Sequence, residues 1–97
     1  MIVEKRVYRP KQRSQEALVE MIKEGHTMLD FPLTFRIYTP DIAPWGAIVH
    51  EIEFKDLAER EEFWEEWFAS EKAPAFIERW FELVENGGKG EIWNLAD

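Results

Sequence analysis

The hydrophobic and polar positions along the chain change period several times, and each change marks a new element. Residues 2–9 interleave β-branched and aromatic side chains with charged ones, which is typical of a strand. Pro10 ends this run because proline has no backbone N–H to donate to a sheet. An apolar stripe with helical spacing then extends from Leu18 to Leu29, and Ser14 is placed to act as its N-cap. The pattern predicts a strand followed by an amphipathic helix.

The middle of the chain alternates with a period of two. Residues 33–38 and 47–54 each place apolar side chains on one side and more polar ones on the other, and segment 39–46 between them holds two prolines and a glycine. This predicts a hairpin whose enlarged loop carries Trp45. The apolar face should meet the helices, and it contains Leu33, Phe35, Ile37, Ile48, His50, Ile52 and Phe54. The opposite face contains Thr34, Arg36, Tyr38, Val49, Glu51 and Glu53.

The last third is rich in aromatic residues at helical spacing. Asp56 is a good N-cap for a helix over residues 57–68, and Pro74 interrupts the pattern before it resumes at 76–84. A glycine pair then precedes a short β-type run at 91–95. The second helical region is therefore predicted to be broken into two pieces.

The order of these elements is βαββαβ within 97 residues. We expect an α+β, ferredoxin-like sandwich in which an antiparallel four-stranded sheet carries its helices on one face, as a single domain over residues 1–97. The other face of such a sheet is left uncovered. Either solvent or the sheet of a second copy would cover this face, and the sequence does not distinguish between the two.

Composition and charge exclude several classes of function. The net charge is −8 and no basic stripe appears, so we expect neither nucleic-acid binding nor attraction to an anionic membrane surface. The chain has no cysteine, which excludes disulfides and thiolate chemistry. No apolar run is long enough to span a bilayer and the first residues lack a signal-peptide core, so the expected location is cytoplasmic.

Familiar motifs for metal, phosphate or nucleophilic chemistry are missing from the sequence. There is no His-Glu-x-x-His or Glu-x-x-His spacing, so no metal site is predicted. Ser14 and Ser70 are the only serines, and neither lies in a Gly-x-Ser-x-Gly setting. The glycines at 87, 88 and 90 follow a helix instead of opening one. The sequence predicts no cofactor.

The second helical region resembles a known family. Residues 60–76 are similar to the broken second helix of the dimeric α+β barrel superfamily, and within it to NIPSNAP-like proteins. The residues that carry the resemblance are Phe63, Trp64 and Trp67 in the aromatic stretch, Ser70 and Glu71 in the small-polar-acidic step, and Val3–Pro10 as the first strand and its exit.

The resemblance implies a homodimer whose two sheets form a barrel, with a cavity in each subunit between sheet and helices. In that superfamily the cavity hosts cofactor-independent monooxygenation of aromatic polyketides, haem binding or breakdown, and lactone isomerisation. Haem breakdown there depends on an Asn-Trp-His set. Trp64 or Trp67 would supply the Trp, but the first strand has Tyr8 and no Asn, and the second helix has no His. This departure argues against haem oxygenase activity.

His50 is the leading candidate for a catalytic group, because imidazole titrates near neutrality and alternation places it on the apolar face. It would act as a base, with Tyr8 or Arg36 donating a hydrogen bond to developing charge. Arg36 qualifies only if the second strand faces opposite to the prediction. His26 either caps the end of the first helix at the surface or faces the same cavity as His50. The alternative for His50 is a buried, neutral, hydrogen-bonded core histidine.

Aromatic and aliphatic side chains would form the rest of the site. We expect Trp64 and Trp67 at the cavity wall, with Ile48 and Ile52 contacting a ligand, although such residues also pack ordinary cores. The predicted function is to bind or transform a small lipophilic or aromatic molecule, as a cofactor-independent monooxygenase or isomerase. The alternative is a non-enzymatic homodimeric interaction or structural protein with a packed interior.

Overall fold

The computed structural model describes residues 1–96 and contains the predicted order of elements. The strands are β1 (Ile2–Tyr8), β2 (Phe35–Tyr38), β3 (Ile48–Phe54) and β4 (Lys89–Asn94). The helices are α1 (Gln15–Thr27), α2 (Leu57–Ala69) and α3 (Ala73–Leu83). The strands form one antiparallel sheet in the order β2-β3-β1-β4. The predicted α+β, ferredoxin-like fold is confirmed.

The helix boundaries follow from local chemistry. The Asp56 carboxylate accepts a hydrogen bond from the Glu59 N–H at 2.9 Å, and the Glu59 carboxylate accepts one from the Lys55 N–H at 2.8 Å. Ser14 occupies the N-cap position of α1, but its hydroxyl makes no capping hydrogen bond, and only its carbonyl receives the Leu18 N–H. The N-cap prediction is therefore right for Asp56 and wrong for the side chain of Ser14.

The break between α2 and α3 lies upstream of the proline that predicted it. Helix α2 ends at Ala69, and Pro74 occupies the first turn of α3, where an N–H has no partner within the helix. Strand β4 also begins two residues earlier than predicted. Gly87 has a φ of 97°, so it turns the chain early enough for Lys89 to pair with Val7 of β1.

The two faces of the sheet divide as the alternation predicts. On β3, Ile48, His50, Ile52 and Phe54 are all buried beneath the helices, whereas the residues between them are partly exposed. The helices complete the core with Leu18, Met21 and Ile22 from α1, Phe63 and Trp67 from α2, and Ala73 and Phe76 from α3. Among the described residues, no helix combines the length and apolar composition that crossing a membrane requires.

The edge strand β4 differs from the other three. Each of its six residues is exposed, including Ile92 and Trp93 at 44% and 57%. Its neighbour β1, by contrast, carries two charged residues, Glu4 and Arg6, on the covered face between the buried side chains of Ile2 and Tyr8. The candidate site lies around these residues.

Candidate functional site

A cavity of about 230 Å³ lies between the covered face of the sheet and the helices. Strands β1 and β3 supply Arg6, Tyr8 and His50, and α1 supplies Gly25 and His26. The wall opposite is mostly aromatic and comes from α2 and α3, with Phe63, Trp64, Trp67, Phe68, Phe76, Trp80 and Phe81 among its members. The cavity is thus apolar on one side and polar at the sheet.

Tyr8, His50 and His26 form a hydrogen-bonded series on the side of the cavity that faces the sheet. The Tyr8 hydroxyl lies 3.1 Å from Nδ1 of His50, and Nε2 of His50 lies 2.8 Å from Nε2 of His26. The sheet register explains the first contact, since Tyr8 and His50 share a face of paired strands β1 and β3. The last turn of α1 brings His26 over β2 and β3, where its ring stacks on Phe35 of β2 with centroids 3.7 Å apart.

All three groups are neutral at neutral pH. Burial lowers the pKa of His50 to about 3, with further lowering by the positive charges of His26 and Arg6. Burial also lowers the pKa of His26 to about 4. Burial raises the pKa of Tyr8 to about 12, although the nearby Arg6 charge opposes this rise. The two facing imidazole nitrogens must therefore share one proton.

Two proton arrangements satisfy this series. In the first, the Tyr8 hydroxyl donates to Nδ1 of His50, whose Nε2–H donates to His26. In the second, Nε2–H of His26 donates to His50, whose Nδ1–H donates to the Tyr8 oxygen. The phenolic hydrogen is then free to donate to a ligand. Converting the first arrangement into the second moves two protons along the series, and it also needs one proton delivered to the Tyr8 oxygen and one lost from Nδ1 of His26.

A second polar cluster lies beside the first on the same face. Glu4 is only 3% exposed, and its Oε1 accepts hydrogen bonds from Nε of Arg60 at 2.8 Å and from Nε1 of Trp64 at 2.9 Å. Arg6 approaches the other carboxylate oxygen at 3.4 Å, with its guanidinium 4.7 Å from the centre of the Trp64 ring. Glu4 therefore positions Trp64 in the cavity wall.

The aromatic wall is held from the other side by α1. The indole N–H of Trp67 donates to the carbonyl oxygen of Gly25 at 3.0 Å. A Cβ atom at Gly25 would lie 3.2 Å from Cζ of Phe76, so glycine allows α1 to approach α3 closely. Within residues 1–96, no group of three His, Cys, Asp or Glu side chains is placed to hold a metal ion.

The structure brings most of the predicted site residues together. His50, Tyr8, His26, Trp64 and Trp67 all line the cavity. His26 is half-buried against His50, which excludes the alternative of a purely surface cap.

Three predicted residues lie elsewhere. Ile48 and Ile52 are fully buried on the same face of β3 but do not reach the cavity surface, so they belong to the core. Arg36 lies on the opposite face, where it forms an ion pair with Glu53 at 3.4 Å. The reason is the alternation of β2, which turns Phe35 and Ile37 inward and Arg36 outward. Arg36 is therefore no donor to a ligand in this cavity.

Glu4 and Arg6 are the polar residues of this face that the sequence analysis did not select. A signal was available, because strict alternation along β1 places both on the same side as Ile2 and Tyr8. A charged pair on the covered face of a central strand needs partners from a helix, and here Arg60 and Trp64 of α2 are those partners.

Three solved structures show the fold that this chain shares. A NIPSNAP family protein from Agrobacterium tumefaciens has a TM-score of 0.83 at 23% identity, covering 99% of this chain and 86% of the other. A NIPSNAP domain protein from Burkholderia xenovorans has a TM-score of 0.82 at 18% identity, covering 99% and 95%. An antibiotic biosynthesis monooxygenase has a TM-score of 0.72 at 14% identity, covering all of both chains.

No family model matches the sequence, and no curated protein matches it. The resemblance to NIPSNAP-like proteins of the dimeric α+β barrel superfamily is confirmed at the level of the fold.

Proposed function

We propose that this protein binds a small lipophilic or aromatic molecule between its sheet and helices and transfers a proton from it without a cofactor. The observation that carries the proposal is the series Tyr8–His50–His26 at the polar side of an aromatic cavity. The aromatic wall supplies binding energy, and the series supplies a route for a proton.

The geometry gives the three residues different roles. Both ring nitrogens of His50 already have partners, so His50 relays protons and does not contact the ligand as a base. Tyr8 is the catalytic residue, because its oxygen takes a proton from an acidic C–H of the ligand while its own proton passes to Nδ1 of His50. The Nε2 proton of His50 then passes to His26. Positive charge ends on His26 in the last turn of α1, where the helix dipole and the new negative charge of the ligand oppose the burial that lowers the pKa of His26.

The carbanion left on the ligand has two outcomes. Protonation at another atom completes an isomerisation, which the same series run in reverse would supply. Reaction of the carbanion with dioxygen is the first step of a cofactor-independent monooxygenation. The likeness to an antibiotic biosynthesis monooxygenase supports the second outcome only through the shared fold.

A homodimer is part of the proposal. The uncovered face of the sheet is mixed, with Arg36, Glu51 and Glu53 among half-exposed valines, and β4 adds the exposed Trp93, which pairs with Val3 of that face. A second sheet placed on this face would cover the apolar side chains and pair the charged ones. We expect sedimentation velocity to give the mass of two chains at micromolar concentration.

The first experiment is native mass spectrometry of protein purified gently from its expression host. Two chains with an added small molecule would support both the dimer and the binding function. The molecule, or a panel of aromatic ketones and lactones, is then incubated with the protein in D₂O, and exchange of its acidic C–H is followed by NMR. We expect exchange with the wild type and none with Tyr8→Phe.

The same experiment distinguishes the proposed function from the alternative of a non-enzymatic interaction protein. A dimer that carries no small molecule and exchanges no C–H would favour a non-enzymatic interaction protein. Binding without exchange in any compound of the panel would contradict the catalytic part of the proposal and leave a binding protein.

A further inference from the structure

The cavity carries a single formal charge. Arg6 is the only Asp, Glu, Lys or Arg side chain among the described residues that line it, and both histidines there are neutral at neutral pH. This positive charge belongs to a protein whose net charge is −8. A cavity built only for neutral hydrocarbon would not need it, because burying a charged group beside an apolar surface is unfavourable.

Arg6 is not needed to neutralise Glu4. Oε1 of Glu4 accepts short hydrogen bonds from Arg60 and Trp64, and the Arg60 charge balances the carboxylate, whereas Oε2 has only the long contact of 3.4 Å with Arg6. One carboxylate and two guanidinium groups leave a local charge of +1. A guanidinium has five N–H donors, and within residues 1–96 this long contact is the only hydrogen bond that the side chain of Arg6 makes.

The guanidinium of Arg6 is also held in place at the cavity. It lies 4.7 Å from the centre of the Trp64 ring and 5.6 Å from the centre of the Tyr8 ring. Its side chain is 33% exposed, so a ligand reaches its free donors without displacing another group. The charge is therefore directly beside the proposed catalytic hydroxyl.

We propose that the ligand is an aromatic or lipophilic organic acid, ionised at neutral pH, whose carboxylate binds Arg6 while its apolar body packs between Trp64, Trp67 and Phe76. This inference rests on the proposed function, since it specifies the substrate class of the same cavity. A planar, bidentate donor is the geometry that recognises a carboxylate. Such binding places the atoms next to the carboxylate beside Tyr8.

The test compares an acid with its neutral counterpart. Isothermal titration calorimetry measures the binding of 2-naphthoate and 2-naphthamide, which share the ring system and differ in charge. We expect the wild type to bind 2-naphthoate about 10-fold to 100-fold more tightly, as a charge-assisted hydrogen bond should give. Arg6→Gln should abolish this preference. Arg6→Lys should keep part of it, because lysine retains the positive charge but lacks the planar guanidinium that donates two parallel hydrogen bonds.

A matched control changes the same charge elsewhere. Arg36→Gln also removes one positive charge, but on the opposite face of the sheet, so the preference for 2-naphthoate should persist. Circular dichroism and urea denaturation establish that each variant is folded. Because the protein is acidic overall, non-specific attraction of an anion does not explain a preference for the acid.

The outcomes separate the inference from the function on which it rests. Equal affinity of the wild type for the two compounds, or a preference that survives Arg6→Gln, would overturn the organic-acid inference while leaving an aromatic binding site. If neither 2-naphthoate nor 2-naphthamide binds, and no other bicyclic aromatic compound does, the proposed binding function itself is wrong.

Discussion

Two polar clusters lie side by side on the covered face of β1. One stabilises its buried polar atoms with charged partners, and the other does so with neutral hydrogen-bonding partners. Glu4 lies between the guanidinium groups of Arg6 and Arg60, with Arg60 and Trp64 donating short hydrogen bonds to it. Tyr8, four residues further along the same strand, has its hydroxyl hydrogen-bonded to His50, whose other ring nitrogen contacts His26. Desolvation there favours the neutral form of each group. The two clusters thus differ in their partners: charged side chains surround Glu4, whereas the hydrogen-bonding partners in the series of Tyr8 are neutral.

The difference separates a supporting role from a chemical one. The charged cluster fixes Trp64 and the start of α2 against the sheet, and any change of its protonation would break it. The neutral series has two arrangements of its protons, and a proton that enters at Tyr8 shifts the others towards His26. Changes to the first cluster should therefore affect the free energy of unfolding, and changes to the second should affect chemistry more than stability.

The largest expected effect comes from removing the charge of Glu4. Glu4→Gln leaves Arg60 without its anionic partner beside a buried surface, so we expect the free energy of unfolding to fall by about 3 kcal/mol. Urea denaturation at pH 7 measures it. Glu53→Gln is the control, because Glu53 forms an ion pair with Arg36 on the other face and should cost about 0.5 kcal/mol or less. Equal losses in the two variants would contradict the supporting role.

The neutral series should make the protein less stable in mild acid. The unfolded chain takes up protons at His26 and His50 as the pH falls through 6.5, whereas the folded pKa values are about 4 and about 3. Stability from these groups is complete above pH 7 and is lost progressively down to about pH 3. Between pH 7 and 5 we expect a loss of up to about 2 kcal/mol per histidine, and less for the more exposed His26.

Urea denaturation at the two pH values measures this loss, and NMR of the imidazole rings tests its cause. Neither ring should titrate between pH 8 and 5 in the folded protein. A ring that titrates near its ordinary pKa of 6.5 would show that burial does not keep that histidine neutral in mild acid and would contradict this explanation of the loss.

Tyr8→Phe should separate chemistry from stability. The change removes one hydroxyl and leaves Nδ1 of His50 without its partner, so we expect the free energy of unfolding to fall by about 1 kcal/mol. C–H exchange in D₂O should disappear while ligand affinity stays within a few-fold. Tyr38→Phe is the matched control, since Tyr38 is exposed on the other face and donates to Glu51 there. If exchange persists in Tyr8→Phe, another group takes the proton.

The smallest expected change in the free energy of unfolding is that of Arg6→Gln, which tests whether Arg6 supports Glu4 or is available to a ligand. Arg6→Gln should lower the free energy of unfolding by about 0.5 kcal/mol or less, because the Arg6 contact with Glu4 is long and its side chain is one-third exposed. Arg60→Gln, which removes a 2.8 Å contact to the same carboxylate, should cost more. A larger loss for Arg6→Gln than for Arg60→Gln, measured by urea denaturation, would assign Arg6 to the support of Glu4.

Alternation within strands predicted the facing of the sheet correctly. It placed His50 under the helices and Arg36 outside, because a period of two allows only these positions once the apolar face is known. The pairing of His50 with His26 was not predictable, since it depends on how α1 crosses the sheet. The cluster at Glu4 escaped prediction for a similar reason: its partners Arg60 and Trp64 are 56 and 60 residues away in sequence.

Strand β4 gives the sheet a gradient of local stability. It is held by β1 alone, and none of its six residues is buried, so few apolar contacts oppose its opening. Its backbone amides should exchange with solvent hydrogen faster than those of β1 and β3. In the proposed dimer, a second sheet packed on the face of β4 would hold this strand in place, so the same amides would become protected as protein concentration rises, by mass action. The rate of amide hydrogen exchange in β4 would then indicate how much of the protein is dimeric.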